Sequence, residues 1–292
     1  AQNTYNANGN AGPGTQNIIN IGGALNCTSI GSGAYNINPA SGPLWSSLHN
    51  TFYGGQAGNG ILGGGSNNFG RNTFVGALSG TVCTNPANNT FIGFRAGANS
   101  VTATPFGQVF VGSYAGDNSV GAADCYMGFG AGFFANNGTP FTETRNCYFG
   151  REAGALLNGA NNCVFGAQWG SGVTNFEGNT AATRISNDNC FFGSQSGHNI
   201  NGGTQNVFMG INSGAVNTTG SRNIFLGRSS ASSNTIGNSN IFIGDASGTN
   251  NATGNYNIAL GTSTILGTAS TNTISIGSFA NIIQNNSMLL GA

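Results

Sequence analysis

Six cysteines, two histidines and seven carboxylates are the side chains of this 292-residue sequence that could do covalent, metal or acid–base chemistry. Four of the thiols, Cys125, Cys147, Cys163 and Cys190, each stand three residues before a glycine, in CYMG, CYFG, CVFG and CFFG. If those stretches are neighbouring parallel strands, they lie about 4.8 Å apart, inside the Cα separation that a disulfide accepts. Cys125 with Cys147 and Cys163 with Cys190 are then the expected bridges; unbridged, the thiols would serve as small hydrophobes of an inner wall. Cys27 and Cys83 fall outside the pattern. There is no Cys-x-x-Cys, and His49 and His198 are far apart, so neither a metal site nor a cofactor is expected. Asp117, Asp124, Glu143, Glu152, Glu177, Asp188 and Asp245 hold unrelated places relative to the glycines, whereas glycan cleavage wants two carboxyl groups on one face. Arg151 and Glu152 read as a surface pair. GFGAGF at 128–133 matches part of a dinucleotide fingerprint, but no βαβ context follows, and in a chain with 51 glycines such matches arise by chance. The chain is therefore expected not to be an enzyme.

These residues sit in a repeat. The glycine that closes each F-x-G or I-x-G cluster recurs at Gly54, Gly76, Gly93, Gly112, Gly128, Gly150, Gly166, Gly193, Gly210, Gly227, Gly244, Gly261, Gly277 and Gly291. The four steps from Gly193 to Gly261 are each 17 residues. That period is too short for helical repeats or propeller blades and suits one coil of a β-solenoid. The expected fold is an all-β parallel β-solenoid (β-roll) of about fourteen coils over residues 50–292. Residues 1–49 form an irregular segment that caps its own chain or assembles on a neighbour.

Strand parity suggests which residues face inward. The large apolar residue before each glycine (Ile92, Val111, Phe149, Leu226, Ile243) and the residue two earlier (Thr90, Val109, Cys147, Ile224, Ile241) are expected to form the inner wall. Thr51 and Thr73 would then also point inward, which argues against an outward threonine array of the ice-binding kind. Four residues before the glycine stands an asparagine in most repeats (Asn50, Asn72, Asn89, Asn146, Asn162, Asn189, Asn206, Asn223, Asn240, Asn257), replaced by Gln108 and Asp124, which reads as a corner ladder. A small pair such as Ala96-Gly97 or Ser213-Gly214 marks a second tight corner. On this parity Phe52, Phe74, Phe91, Phe110, Tyr126, Tyr148, Phe191, Phe208, Phe225 and Phe242 face outward. Each would be worth about 1.5–3 kcal/mol if covered, so the row is expected to be an assembly interface; the alternative is a coil that folds back over its own aromatics.

NTISIGSFAN at 272–281 resembles the head repeats of trimeric autotransporter adhesins, and NTFVGALSG at 72–80 and NTFIGFRAGANS at 89–100 resemble the N-T-F-I-G-x-x-A-G arrays of bacterial surface and phage-type tail-fibre proteins. The resemblance covers about residues 50–292. It implies a left-handed parallel β-roll and a homotrimer.

The seven basic residues are all arginine and balance seven acids, so the electrostatic footprint of a nucleic-acid or anionic-membrane binder is missing, and no apolar run is long enough to span a membrane. The absence of an initial Met is read as removal of a leader, in keeping with secretion. Asn26, Asn88, Asn137, Asn217, Asn251 and Asn285 open N-x-S/T sequons. The long steps from Gly128 to Gly150 and from Gly166 to Gly193 carry insertions suited to specificity loops. Together these features predict an extracellular or cell-surface structural or adhesive fibre subunit. Its partners would be itself, as a homotrimer or head-to-tail fibre, and a host matrix or glycan receptor. A receptor-binding tail-fibre-like protein is the alternative, and a glycan-active β-helix enzyme the rival class.

Overall fold

The computed structural model describes residues 20–21, 28–31, 50–60, 70–83, 87–100, 107–135, 144–167 and 184–291. The chain is an all-β parallel β-solenoid, with no helix among the described residues. A three-residue strand ends immediately before every glycine of the repeat. Two compact units divide the chain, Ala1–Cys147 and Tyr148–Ala292. In the first, the strands Thr28–Ile30, Thr51–Tyr53, Thr73–Val75, Thr90–Ile92, Val109–Val111 and Cys125–Met127 pair in parallel register. In the second, the ladder runs through Cys163–Phe165, Cys190–Phe192, Val207–Met209, Ile224–Leu226, Ile241–Ile243, Ile258–Leu260, Ile274–Ile276 and Met288–Leu290. The ladder thus reaches back into the N-terminal segment, where Asn20–Ile21 pairs antiparallel with Thr28–Ile30 and covers the first strand's free edge with the chain's own backbone.

The interior reverses the expected parity. Phe52, Phe74, Phe91, Phe110, Tyr126, Tyr148, Phe191, Phe208, Phe225 and Phe242 are the largest fully buried side chains, at 0% exposure within a single chain. They are the core, not an outward interface. Successive rings stack at the strand spacing: Phe74 to Phe91 and Phe91 to Phe110 at 4.8 Å, Phe110 to Tyr126 at 4.7 Å, and Phe208 to Phe225 at 4.7 Å. The reason lies in the return segment. Gly97 has φ +62°, and a Cβ there would collide with the Phe91 ring; Gly116, Gly214 and Gly248 lie against Phe110, Phe208 and Phe242 in the same way. A coil has room for one aromatic ring laid against the small residue of its return segment, glycine in most coils and Ala231 in that of Phe225, and none for a second row of large side chains. The flanking residues are pushed out, so Thr51 is exposed and Thr73 and Thr90 are half-exposed on the outer surface.

Two further devices close each coil. At the end of the strand Gly93 has φ +138° and lies against the Gly112 carbonyl, where any Cβ would clash. In the return segment the amides alternate in direction: Arg95 N–H donates to Ala77 O in the preceding coil, Gly97 N–H to Ala115 O in the next, and Asn99 N–H back to Thr81 O. The corners are hydrogen-bonded ladders in their own right, which satisfies backbone groups that a buried loop would leave unpaired.

Replacing Phe225 by Ala should lower the unfolding free energy by about 3–5 kcal/mol, the range for a buried aromatic. Ile224→Ala, one residue away but outward, should cost about 1 kcal/mol or less. Chemical denaturation of the two variants checks this, and the opposite ranking would restore the outward aromatic row.

Candidate assembly face and its polar spine

The side chains that can act beyond the chain are the strand residues on either side of each buried ring. In the second unit they form two parallel columns. One holds Cys163, Cys190, Val207, Ile224 and Ile241; the other holds Phe165, Phe192, Met209, Leu226 and Ile243. Phe192 is 51% exposed, Met209 48% and Ile243 40%, and Ile211, just past the closing glycine, 55%. Phe149, Phe165 and Phe192 form an outer aromatic stack, with centroids 4.8 and 5.3 Å apart. The first unit repeats the arrangement with Tyr53, Ile92 and Met127, flanked by Phe94 and Phe129. No strand of either ladder contains a charged residue. Beside the second-unit strands, just past their closing glycines, Arg228 and Asp245 pair at 2.6 Å.

Behind this face runs the polar spine that the asparagine spacing predicts. Asn206, Asn223, Asn240 and Asn257 are fully buried. Each Oδ1 accepts the backbone N–H of the next member: Asn206 to Asn223 at 2.9 Å, Asn223 to Asn240 at 2.9 Å, Asn240 to Asn257 at 3.0 Å. Each Nδ2 meanwhile donates to a carbonyl on the facing side of the coil, Asn223 to Gly237 O and Asn240 to Gly254 O, both at 2.8 Å. Only a side chain with both an acceptor and a donor does this. A row of serines, which sequence reading treats only as small corner residues, ties the opposite corner: Ser213 Oγ donates to Phe225 O at 2.9 Å and Ser230 Oγ to Phe242 O at 3.1 Å.

Asp124 occupies the same rung with no donor. It accepts from Asn146 N–H at 2.7 Å, and both its oxygens lie within 2.7 Å of Thr144 Oγ, which has a single proton to give. Burial pushes its carboxyl up to about 6 despite the Thr144 and Asn146 hydrogen bonds, which act to lower it. Asp117, bonded to Arg95 Nε at 2.9 Å, is also raised, again chiefly by burial. The buried Cys83 thiol is pushed up to about 12 by desolvation, which keeps it protonated and unreactive.

The other sequence-level candidates can now be placed. Arg151 and Glu152 do form a surface ion pair, at 3.1 Å. Asp188 is an exposed acceptor for Asn161 Nδ2, and His198 contacts Asn199. Among the described residues no three of His, Cys, Asp and Glu come together. The glycines of GFGAGF are structural, Gly128 closing a strand and Gly132 lying on the Tyr126 ring. Asn217 and Asn251 are fully buried, the former accepting Gly220 N–H and donating to Gly220 O, the latter donating to Ser270 O. Neither side chain can carry a glycan in the folded chain, which corrects two of the expected sites. Asn88 is half-buried and Asn285 exposed. Asn26, Asn137, Cys27, His49, Glu143 and Glu177 lie outside the described residues, as do most of both insertions. Cys125, Cys147, Cys163 and Cys190 are half-exposed thiols in the outward column, not in an inner wall. The outward columns themselves were missed by the sequence reading, although the asparagines, two residues from the rings and therefore on the same face, carried the signal.

No protein-family model matches the chain, and no curated protein or solved structure matches it significantly.

Because Asp124 is raised in the fold, the native state holds a proton that the unfolded chain has already released between its ordinary value of 3.8 and about 6. Its contribution is most favourable below that window, falls as pH rises through it, and is flat above. Two units at about 1.4 kcal/mol each put the loss on the order of 3 kcal/mol. Asp124→Asn should therefore unfold at higher denaturant than wild type at pH 7.5, and the advantage should vanish towards pH 4. A constant difference at all pH values would remove the titration from the account.

Proposed function

We propose that the protein is a structural subunit of an extracellular fibre or adhesin, and that copies of it associate through the outward apolar columns. The observation that carries this reading is the uncharged row of half-exposed large apolar side chains along a regular parallel sheet. Val207, Phe192, Met209, Ile211, Ile224 and Ile243 alone leave on the order of 500 Å² of surface open, over half of the ~800 Å² per partner of a standard interface. Patches of that size on a single chain mark interaction sites. A second copy fits best: its columns repeat at the same strand spacing, so ridges of one face meet grooves of the other, and neither strand array offers a charge for an ionic partner to recognise. The placement outside the cell draws on the Gly-, Asn- and Thr-rich, lysine-free composition.

Met209→Lys combined with Ile243→Lys tests this without touching the core, since Phe208 and Phe242 stay in place. Wild-type protein at tens of micromolar should scatter light as a multiple of the 29.4 kDa chain, and the double variant as a single chain with little change in stability. A wild-type protein of single-chain mass, or a variant that stays assembled, would contradict the proposal.

A further inference from the structure

The four outward cysteines stand in a column that takes threonine in the first coils, at Thr51, Thr73 and Thr90, and valine or isoleucine in the coils directly before and after them. Val109 precedes Cys125 in the first unit, and Val207 follows Cys190 in the second, each in direct register. Packing at this position does not call for sulfur. A half-exposed site is also a poor place for an inert thiol, since cysteines used only for packing are among the most buried residues. Their distribution supplies the reason. Cys125 and Cys147 lie on the strands before and after the 22-residue step from Gly128 to Gly150, and Cys163 and Cys190 on those before and after the 27-residue step from Gly166 to Gly193. These are two of the three coils that run to 22 residues or more; in the third, from Gly54 to Gly76, the same column holds Thr51 and Thr73. Cys163 and Cys190 are direct register partners. Cys125 N–H bonds to Asn146 O at 2.8 Å, and its thiol is in hydrogen-bonding contact with Cys147.

We propose that these are two disulfide staples, Cys125–Cys147 and Cys163–Cys190, each closing the base of one insertion. Neighbouring parallel strands hold Cα atoms about 4.8 Å apart, within the roughly 4.4–6.8 Å that a disulfide spans. The oxidant is a small disulfide such as oxidised glutathione. One cysteine thiolate attacks it, breaking its S–S bond and forming a mixed disulfide with release of one glutathione thiol. The second cysteine then displaces the other glutathione. Two electrons pass to glutathione, and the two protons lost by the cysteines end on its thiols. A staple constrains the unfolded chain most where the loop it closes is long, and the 27-residue step is the longest between successive repeat glycines, while the 22-residue step from Gly128 to Gly150 is matched in length only by that from Gly54 to Gly76. Cys83, buried and with its thiol pushed up to about 12, takes no part. The inference does not depend on self-assembly, because both bridges form within one chain.

The sequence makes the test direct: with no lysine and with arginines at 71, 95, 145, 151, 184, 222 and 228, trypsin places each of the six cysteines in a different peptide. The dilute full chain is equilibrated with millimolar oxidised glutathione, free thiols are blocked with N-ethylmaleimide, and the unreduced digest is read by mass spectrometry. The expected products are peptide 96–145 joined to 146–151, and 152–184 joined to 185–222. Cys163→Val with Cys190→Val, which copies the neighbouring coil, should remove the second product and leave the first. Four blocked thiols, a link between 146–151 and 152–184, or covalent dimers on a non-reducing gel would each overturn the proposal.

Discussion

One aromatic ring lies flat in most coils, with Val164 interrupting the series, stacked on the ring of the next at the spacing set by the strands, and the rest of the structure is arranged around that stack. Parallel strands repeat at about 4.8 Å, close to the distance at which aromatic faces pack in contact, so backbone hydrogen bonding and ring stacking are satisfied by one geometry. The stack favours glycine four places after the closing glycine, as at Gly97, Gly116, Gly214 and Gly248, where the ring occupies the space a Cβ would need; Ala231 takes that place in the Phe225 coil. It also fixes what lies outside. With one ring filling the coil, the large residues on either side of it have nowhere to go but the surface.

A core this narrow cannot be wholly apolar, since its corners bring backbone amides and carbonyls inside. The asparagine spine answers this by accepting backbone amides of the next coil and donating to carbonyls across the coil, and the serine row donates to strand carbonyls at the opposite corner. Asp124 shows what the spine demands: in place of an amide that donates and accepts, it carries a carboxyl that is held towards its neutral form. The column also shows where the pattern tapers, as the ring gives way to Ala259 and then Ser275.

Much of this was legible from the residues. The glycine spacing located the strands, and the repeated Asn, four residues before each glycine, located the spine. Parity was not legible in the same way, because Phe91 and Ile92 are both large and apolar, and hydrophobicity alone does not say which is inside. The discriminating fact is steric and lies six residues further on, at Gly97, whose left-handed backbone sits under the ring. The exposed columns follow from that inversion, so the candidate face could not be found until the parity was right. The small second sheets, Leu157–Asn158 with Arg184–Ile185 and Ile265–Leu266 with Asn281–Ile282, had no repeating signal to announce them.

An inward aromatic stack and an outward apolar face are two sides of one claim, and Phe191 and Phe192 test it within a single dipeptide. Hydroxyl-radical footprinting of the dilute chain, read residue by residue, measures exposure of each side chain directly. Phe192 and Met209 should oxidise readily while Phe191, Phe208, Phe225 and Phe242 stay protected; oxidation of the second group with protection of the first would contradict the account.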